Sequence, residues 1–99
     1  MSEWRFSDGT VVTSEGKVTG TSDFAAFCAY DVDRVKDGLF VGVDVGPHPS
    51  RQVPLKLGDD DIMARWLMMW TYGFKVRLIS GPLPVPQDVQ YQHVPGRIY

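Results

Sequence analysis

Apolar residues follow two rhythms along this chain, and the switches between them mark out its elements. Trp4-Arg5-Phe6 alternates with period two, Asp8-Gly9 carries a type I′ turn signal, and residues 10–13 supply a return strand. Ser14-Glu15-Gly16 marks a second turn, followed by a short strand over residues 17–19. Thr21-Ser22-Asp23 offers an N-cap, with Asp23 placed against the positive end of a helix dipole. The stretch DFAAFCAYDVDRVKD then reads as a helix that Gly38 stops.

Period two returns at residues 39–45, with Leu39, Val41, Val43 and Val45 on one side and Phe40, Gly42 and Asp44 on the other. After a loop through Gly46-Pro47-His48-Pro49, residues 53–57 alternate again, and Pro54 pushes that strand to an edge. Gly58 and Asp59-Asp60-Asp61 open a second helix; with Gly58 as N-cap, Leu57 and Ile62 would form a hydrophobic staple.

The second helix is the richest apolar segment. At about 100° per residue, Met69, Ile62, Trp66, Trp70, Met63 and Leu67 share an arc of about 160°, enough to fasten a helix to a sheet. Trp66 and Trp70 are both expected to be buried against strands carrying Val41, Val43, Leu55 and Val76. Met68 and Tyr72 fall outside the arc, beside Arg65. Gly73 ends the helix, and residues 74–79 read as a strand with Phe74, Val76 and Leu78 inward and Lys75 and Arg77 outward. Prolines at 82, 84, 86 and 95 mark an extended arm. Within it, residues 88–94 could form a late strand, with Tyr91, Ile98 and Tyr99 as anchors on the domain.

The order βββ-α-ββ-α-β, dominated by hairpins, predicts a two-layer α+β domain with a mostly antiparallel sheet and both helices on one face. The domain spans residues 1–81, and residues 82–99 form an arm packed on it or extending it.

Composition adds bounds. The chain has 99 residues, 43% hydrophobic and 22% charged, which suits one globular domain rather than disorder. Its net charge of −2 argues against a general nucleic-acid binder. A lone cysteine, no apolar leader at the N-terminus and no long apolar run lead to the expectation of a cytoplasmic protein without a membrane span.

Candidate chemistry is sparse. The uncovered sheet face would carry Arg5, Lys17, Lys56, Lys75 and Arg77, with Asp44 among them and Phe40 as the sole placed aromatic. The plain expectation is a solvated face, and the alternative is a basic surface for an acidic partner. A helix running on to residue 36 would desolvate Asp31 and make it a candidate acid or partner anchor. The simpler expectation ends that helix near Tyr30 and has Asp31 cap a short turn.

The run from Asp31 fails as a calcium loop, since Val35, Lys36 and Gly42 stand where an oxygen donor, a glycine and a glutamate belong. Residues 59–61 read as acids placed for a helix dipole rather than as a metal site. His48, His93 and Cys28 have no metal-ligand spacing, and Cys28 lies on the apolar side of its helix. No glycine pattern matches a phosphate-cradling loop. The expectation is therefore no metal and no cofactor.

With no acid–base or nucleophile constellation in view, the expected role is binding another protein or self-association. The concrete form is an immunity- or inhibitor-type protein that neutralises a toxin or effector by covering its surface. Its contact surface would centre on Met68 and Tyr72 with Arg65 beside them, unless the arm covers them. The alternative is a homo-oligomeric ligand- or nucleic-acid-binding module using Arg5, Lys56, Lys75 and Arg77. A small enzyme ranks below both.

Overall fold

The computed structural model describes residues 2–46 and 51–85. His48, His93, the candidate strand over 88–94 and the anchors Tyr91, Ile98 and Tyr99 lie outside them.

The elements run β1 (Glu3–Phe6), β2 (Val11–Thr13), β3 (Val18–Thr19), α1 (Asp23–Lys36), β4 (Gly42–Asp44), β5 (Gln52–Pro54), α2 (Asp60–Phe74) and β6 (Leu78–Ser80). This is an α+β fold with antiparallel sheets. The strands form two sheets rather than one: β3-β2-β1-β6, and a separate hairpin β4-β5. Helix α1 contacts β3 while α2 contacts β4, so the helices do not share one face of a single sheet.

Both sheets and both helices enclose one core. Trp4, Phe6 and Val12 enter it from the larger sheet, and Val41, Val43 and Leu55 from the hairpin side. Phe24, Cys28 and Val32 of α1 meet Met63, Trp66 and Leu67 of α2 between them. A chain of ring contacts, edge-to-face at its two ends and tilted between, crosses the helix pair: Phe6 on Phe24 at 4.9 Å, Phe24 on Phe74 at 5.4 Å, Phe74 on Phe27 at 5.2 Å, and Phe27 on Trp70 at 4.8 Å. Trp66 is fully buried, as its place on the apolar arc predicts. Trp70 is not; it is 37% exposed, because its ring leans on Phe27 at the outer end of that chain.

Local hydrogen bonding corrects several boundaries. At the first turn Gly9 donates to the Phe6 carbonyl, and Gly9 alone has positive φ (+93°), so this is a type I turn with a glycine bulge rather than type I′. The second turn repeats the device, with Gly16 donating to Thr13. Ser22 caps α1, accepting from the Ala25 N–H, and α1 runs unbroken past Asp31 to Lys36. It ends in a Schellman motif, with Gly38 bonded to Val35 and Leu39 to Arg34. That motif leaves Leu39 exposed, outside β4, despite its alternation with Val41.

The second helix starts from Asp59, whose carboxylate accepts from the Ile62 N–H. Gly58 has positive φ (+90°), unsuited to an N-cap, so the staple between Leu57 and Ile62 has no such frame. Its other end is also displaced. Gly73 stays helical, and Lys75 takes the left-handed position (φ +58°, ψ +39°), donating to Tyr72 while Val76 donates to Thr71. Residues 74–77 therefore form a helix terminus and turn, not a strand.

Glycine and lysine sit two positions out of phase with what this terminus favours. A Cβ at Gly73 would meet nothing within 4 Å. Gly73→Ala is expected to stabilise the fold by about 0.5–1 kcal/mol, since glycine is a poor interior helix residue. Lys75→Gly should add about 1 kcal/mol by relieving the left-handed residue. Urea denaturation of the double variant checks both; an unchanged midpoint would refute this account of the helix end.

No helix among the described residues is long and apolar enough to cross a membrane.

Candidate binding corner at the end of the second helix

The left-handed turn at Lys75 reverses the chain and brings the last turn of α2 against the approach to β6. The Arg77 backbone is pinned to the end of β1: its N–H donates to Ser7 Oγ at 2.9 Å, and its carbonyl accepts from the Ser7 N–H at 2.8 Å. Val76 turns inward onto the core, while Lys75 and Arg77 face solvent. Between them lies an open cleft of about 540 Å³, lined by Thr71, Tyr72, Gly73, Lys75, Val76 and Arg77. Tyr72 is 93% exposed, the most open of the large apolar side chains among the described residues. Among the described residues, neither Lys75 nor Arg77 has a carboxylate within 4.0 Å.

The corner thus joins Tyr72 from one sequence-based candidate group to Lys75 and Arg77 from the other. The remaining members lie apart. Met68 is half-buried and packs on the core. The Arg65 side chain is only 12% exposed and donates to Asp61 Oδ2 at 2.8 Å and to the Val85 carbonyl at 2.6 Å. It is tied down rather than presented beside Tyr72. The i,i+4 spacing of Asp61 and Arg65 was a legible signal of that pairing.

The basic face divides with the sheets. Arg5 on β1 pairs with Glu3 at 3.1 Å, a partner two residues away on the same side of the strand. Lys56 and the exposed Phe40 flank the other sheet, and Lys17 precedes β3. Arg5 shares the larger sheet with the Arg77 approach to β6, while Lys56 lies by the separate hairpin.

Each of the three acids at the start of α2 has a task. Asp59 caps the helix, Asp60 accepts from the Ser2 hydroxyl, and Asp61 binds Arg65 and the Val85 N–H. Asp31 is 5% exposed and accepts the Trp66 indole N–H at 3.0 Å, with Arg34 at 4.0 Å. A carboxylate so engaged is a structural anchor between the helices. Cys28 lies close by; burial, with the negative charges of Asp31 and Asp8, pushes its thiol up to about 12. It remains protonated at neutral pH and is a poor nucleophile.

Sequence reasoning missed a polar cluster where α1 begins. Asp8 accepts from the Ser22 hydroxyl at 2.6 Å and the Thr10 N–H at 2.9 Å, and Thr10 and Ser22 share a hydrogen bond of 3.0 Å. Partial burial raises the Asp8 carboxyl, but the bonds from Ser22 and Thr10 outweigh it and hold the group below its ordinary value. This cluster joins the first turn to the α1 cap. Among the described residues, no group of three or more histidines, cysteines or carboxylates is placed to hold a metal.

Comparison of the chain with family models, with curated proteins and with solved structures found no match.

Proposed function

We propose that this chain is a protein-binding domain whose contact surface centres on Tyr72, with Lys75 and Arg77 beside it. The supporting observation is Tyr72 itself, a large side chain 93% exposed at the mouth of a cleft. Tyrosine brings contact area at low entropy cost, and an arginine nearby is a common hot-spot companion. Two cations without a carboxylate within 4.0 Å among the described residues, on a chain of net charge −2, suit a local acidic patch on a protein better than a nucleic-acid backbone. The concrete form carried forward is an inhibitor- or immunity-type protein that covers a partner's working surface.

The test uses the chain immobilised against extract of its native host, beside a Tyr72→Glu/Lys75→Glu variant. Both side chains are exposed, so the variant should fold normally by circular dichroism. A specific partner should bind the unaltered chain and bind the variant at least about 30-fold more weakly, the scale of a tyrosine hot spot. If the partner is an enzyme or toxin, its activity should fall when bound. Equal retention by both chains would place the interface elsewhere and end this reading.

A further inference from the structure

Among the described residues the larger sheet ends on β6, its order being β3-β2-β1-β6. The bonds made by β1 decide which main-chain groups face out from that edge. Phe6 donates to the Thr10 carbonyl at 2.9 Å and accepts from Gly9 at 3.0 Å, so both its polar groups point to the β2 side. Ser7 points the other way, donating to the Arg77 carbonyl at 2.8 Å, while Arg77 donates to Ser7 Oγ at 2.9 Å. Leu78 stands opposite Phe6 in the register. Main-chain groups alternate along an antiparallel strand, so Leu78 forms a non-hydrogen-bonded pair and turns its own N–H and C=O away from β1. The register then shifts to set Ser80 opposite Arg5, and the extra residue, Ile79, makes a bulge that ends the regular edge.

This outward pair of groups adjoins the Tyr72 corner. Arg77 precedes Leu78, Lys75 lies two residues further back, both are exposed, and Val76 lines the cleft between them. Neither cation has a carboxylate within 4.0 Å among the described residues. One donor and one acceptor hold a strand only weakly, so charge must complete the contact.

We propose that β6 adds an extended segment of the partner protein through Leu78, with acidic side chains at alternate positions meeting Arg77 and Lys75. Such strand addition deepens the reading of the Tyr72 corner and rests on it. In a segment antiparallel to β6, the residue opposite Leu78 exchanges both main-chain bonds. The next residue sets a carboxylate opposite Arg77, and a second acid two positions on reaches toward Lys75. The bulge at Ile79 and the left-handed turn at Lys75 bound the contact, which keeps the edge short and leaves selectivity to the two cations. A second copy of this chain fits less well, because self-pairing through Leu78 crowds the Lys75 and Arg77 of both copies onto one short edge.

The probe is the capped hexapeptide Thr-Val-Asp-Thr-Asp-Thr, titrated into the full chain and followed through its amide resonances. Before addition the Leu78 N–H should exchange with solvent faster than the Arg77 N–H, and at saturation its exchange should slow at least about tenfold. N-methylation of the peptide at valine and the central threonine removes the donors on one edge and should weaken binding at least about tenfold. Asparagine in place of both aspartates should weaken it at least about fivefold, as should Lys75→Gln with Arg77→Gln in the chain. Arg77→Gln keeps both main-chain bonds to Ser7, and the two side chains are exposed, so that variant retains its fold. Three results would each overturn the proposal: a Leu78 amide protected in the free chain, as pairing between copies would make it; no binding of the unmodified peptide; or equal binding of its N-methylated form. Each would leave the Tyr72 corner to be decided by the comparison in host extract.

Discussion

Trp66→Ala is expected to lower stability by about 3–5 kcal/mol, the cost of emptying a large buried aromatic site. Trp66 is fully buried where α2 meets α1, and its surroundings are too small to refill the volume. The substitution also strips Asp31 of its indole donor, leaving a buried carboxylate oxygen unpaired. Trp66→Phe separates the two effects. It keeps most of the ring volume and should still cost about 1–3 kcal/mol through the lost hydrogen bond alone. Guanidinium unfolding followed by far-ultraviolet circular dichroism measures both. An alanine variant with an unchanged midpoint would show that Trp66 does not carry the core.

Gly81→Ala should be nearly as severe, at about 3 kcal/mol. Gly81 has φ +132°, and a Cβ there would lie 2.5 Å from Trp4 Cδ1, 2.8 Å from the Glu3 carbonyl oxygen and 2.9 Å from Trp4 Cα. Two of those atoms are backbone of the central strand and cannot swing aside. Overpacking of this kind costs about 1–3 kcal/mol, and a conformation reserved for glycine adds about 1–3 kcal/mol more. The same change at Gly73 should stabilise, so the pair tests the structural account through opposite signs. Thermal unfolding of the two variants side by side gives the comparison; a Gly81→Ala protein as stable as the parent would contradict the close crossing over Trp4.

Local pattern carried much of this fold. The alternation of Trp4 and Phe6, the Ser22 cap, the Gly38 stop and the apolar arc of α2 are short-range signals, and each element formed where they lay. The misplacements have a common physical origin in partners far away in sequence. Whether β4 and β5 join the larger sheet depends on strand pairings that alternation cannot express. Residues 74–78 kept the predicted inward and outward sides, because a left-handed turn also alternates them, yet the backbone there is not a strand. Asp31 looked like a helix breaker until Trp66 supplied a donor across the core. Arg65 counted as exposed because its carbonyl partner on Val85 belongs to backbone, which no side-chain pattern records. The corner around Tyr72 was half legible: the residues were named from sequence, but their convergence needed the turn at Lys75.

The position of β6 sets the order in which the chain can assemble. The β1-β2-β3 meander closes through two tight turns and can form as soon as those residues leave the ribosome. Its remaining edge, on β1, pairs with β6, matching Arg5 with Ser80. That contact joins the two most distant strands of the described chain and carries the greatest loop-closure cost. Until it forms, β1 has an open edge, and Trp4 lacks the Gly81-Pro82 backbone that covers it. The nascent protein therefore passes through a stage with an unpaired strand and a bare tryptophan side by side, a combination prone to association with neighbours. Synthesis of β6 ends that exposure, because one segment both pairs the open edge of β1 and carries Gly81-Pro82 over Trp4.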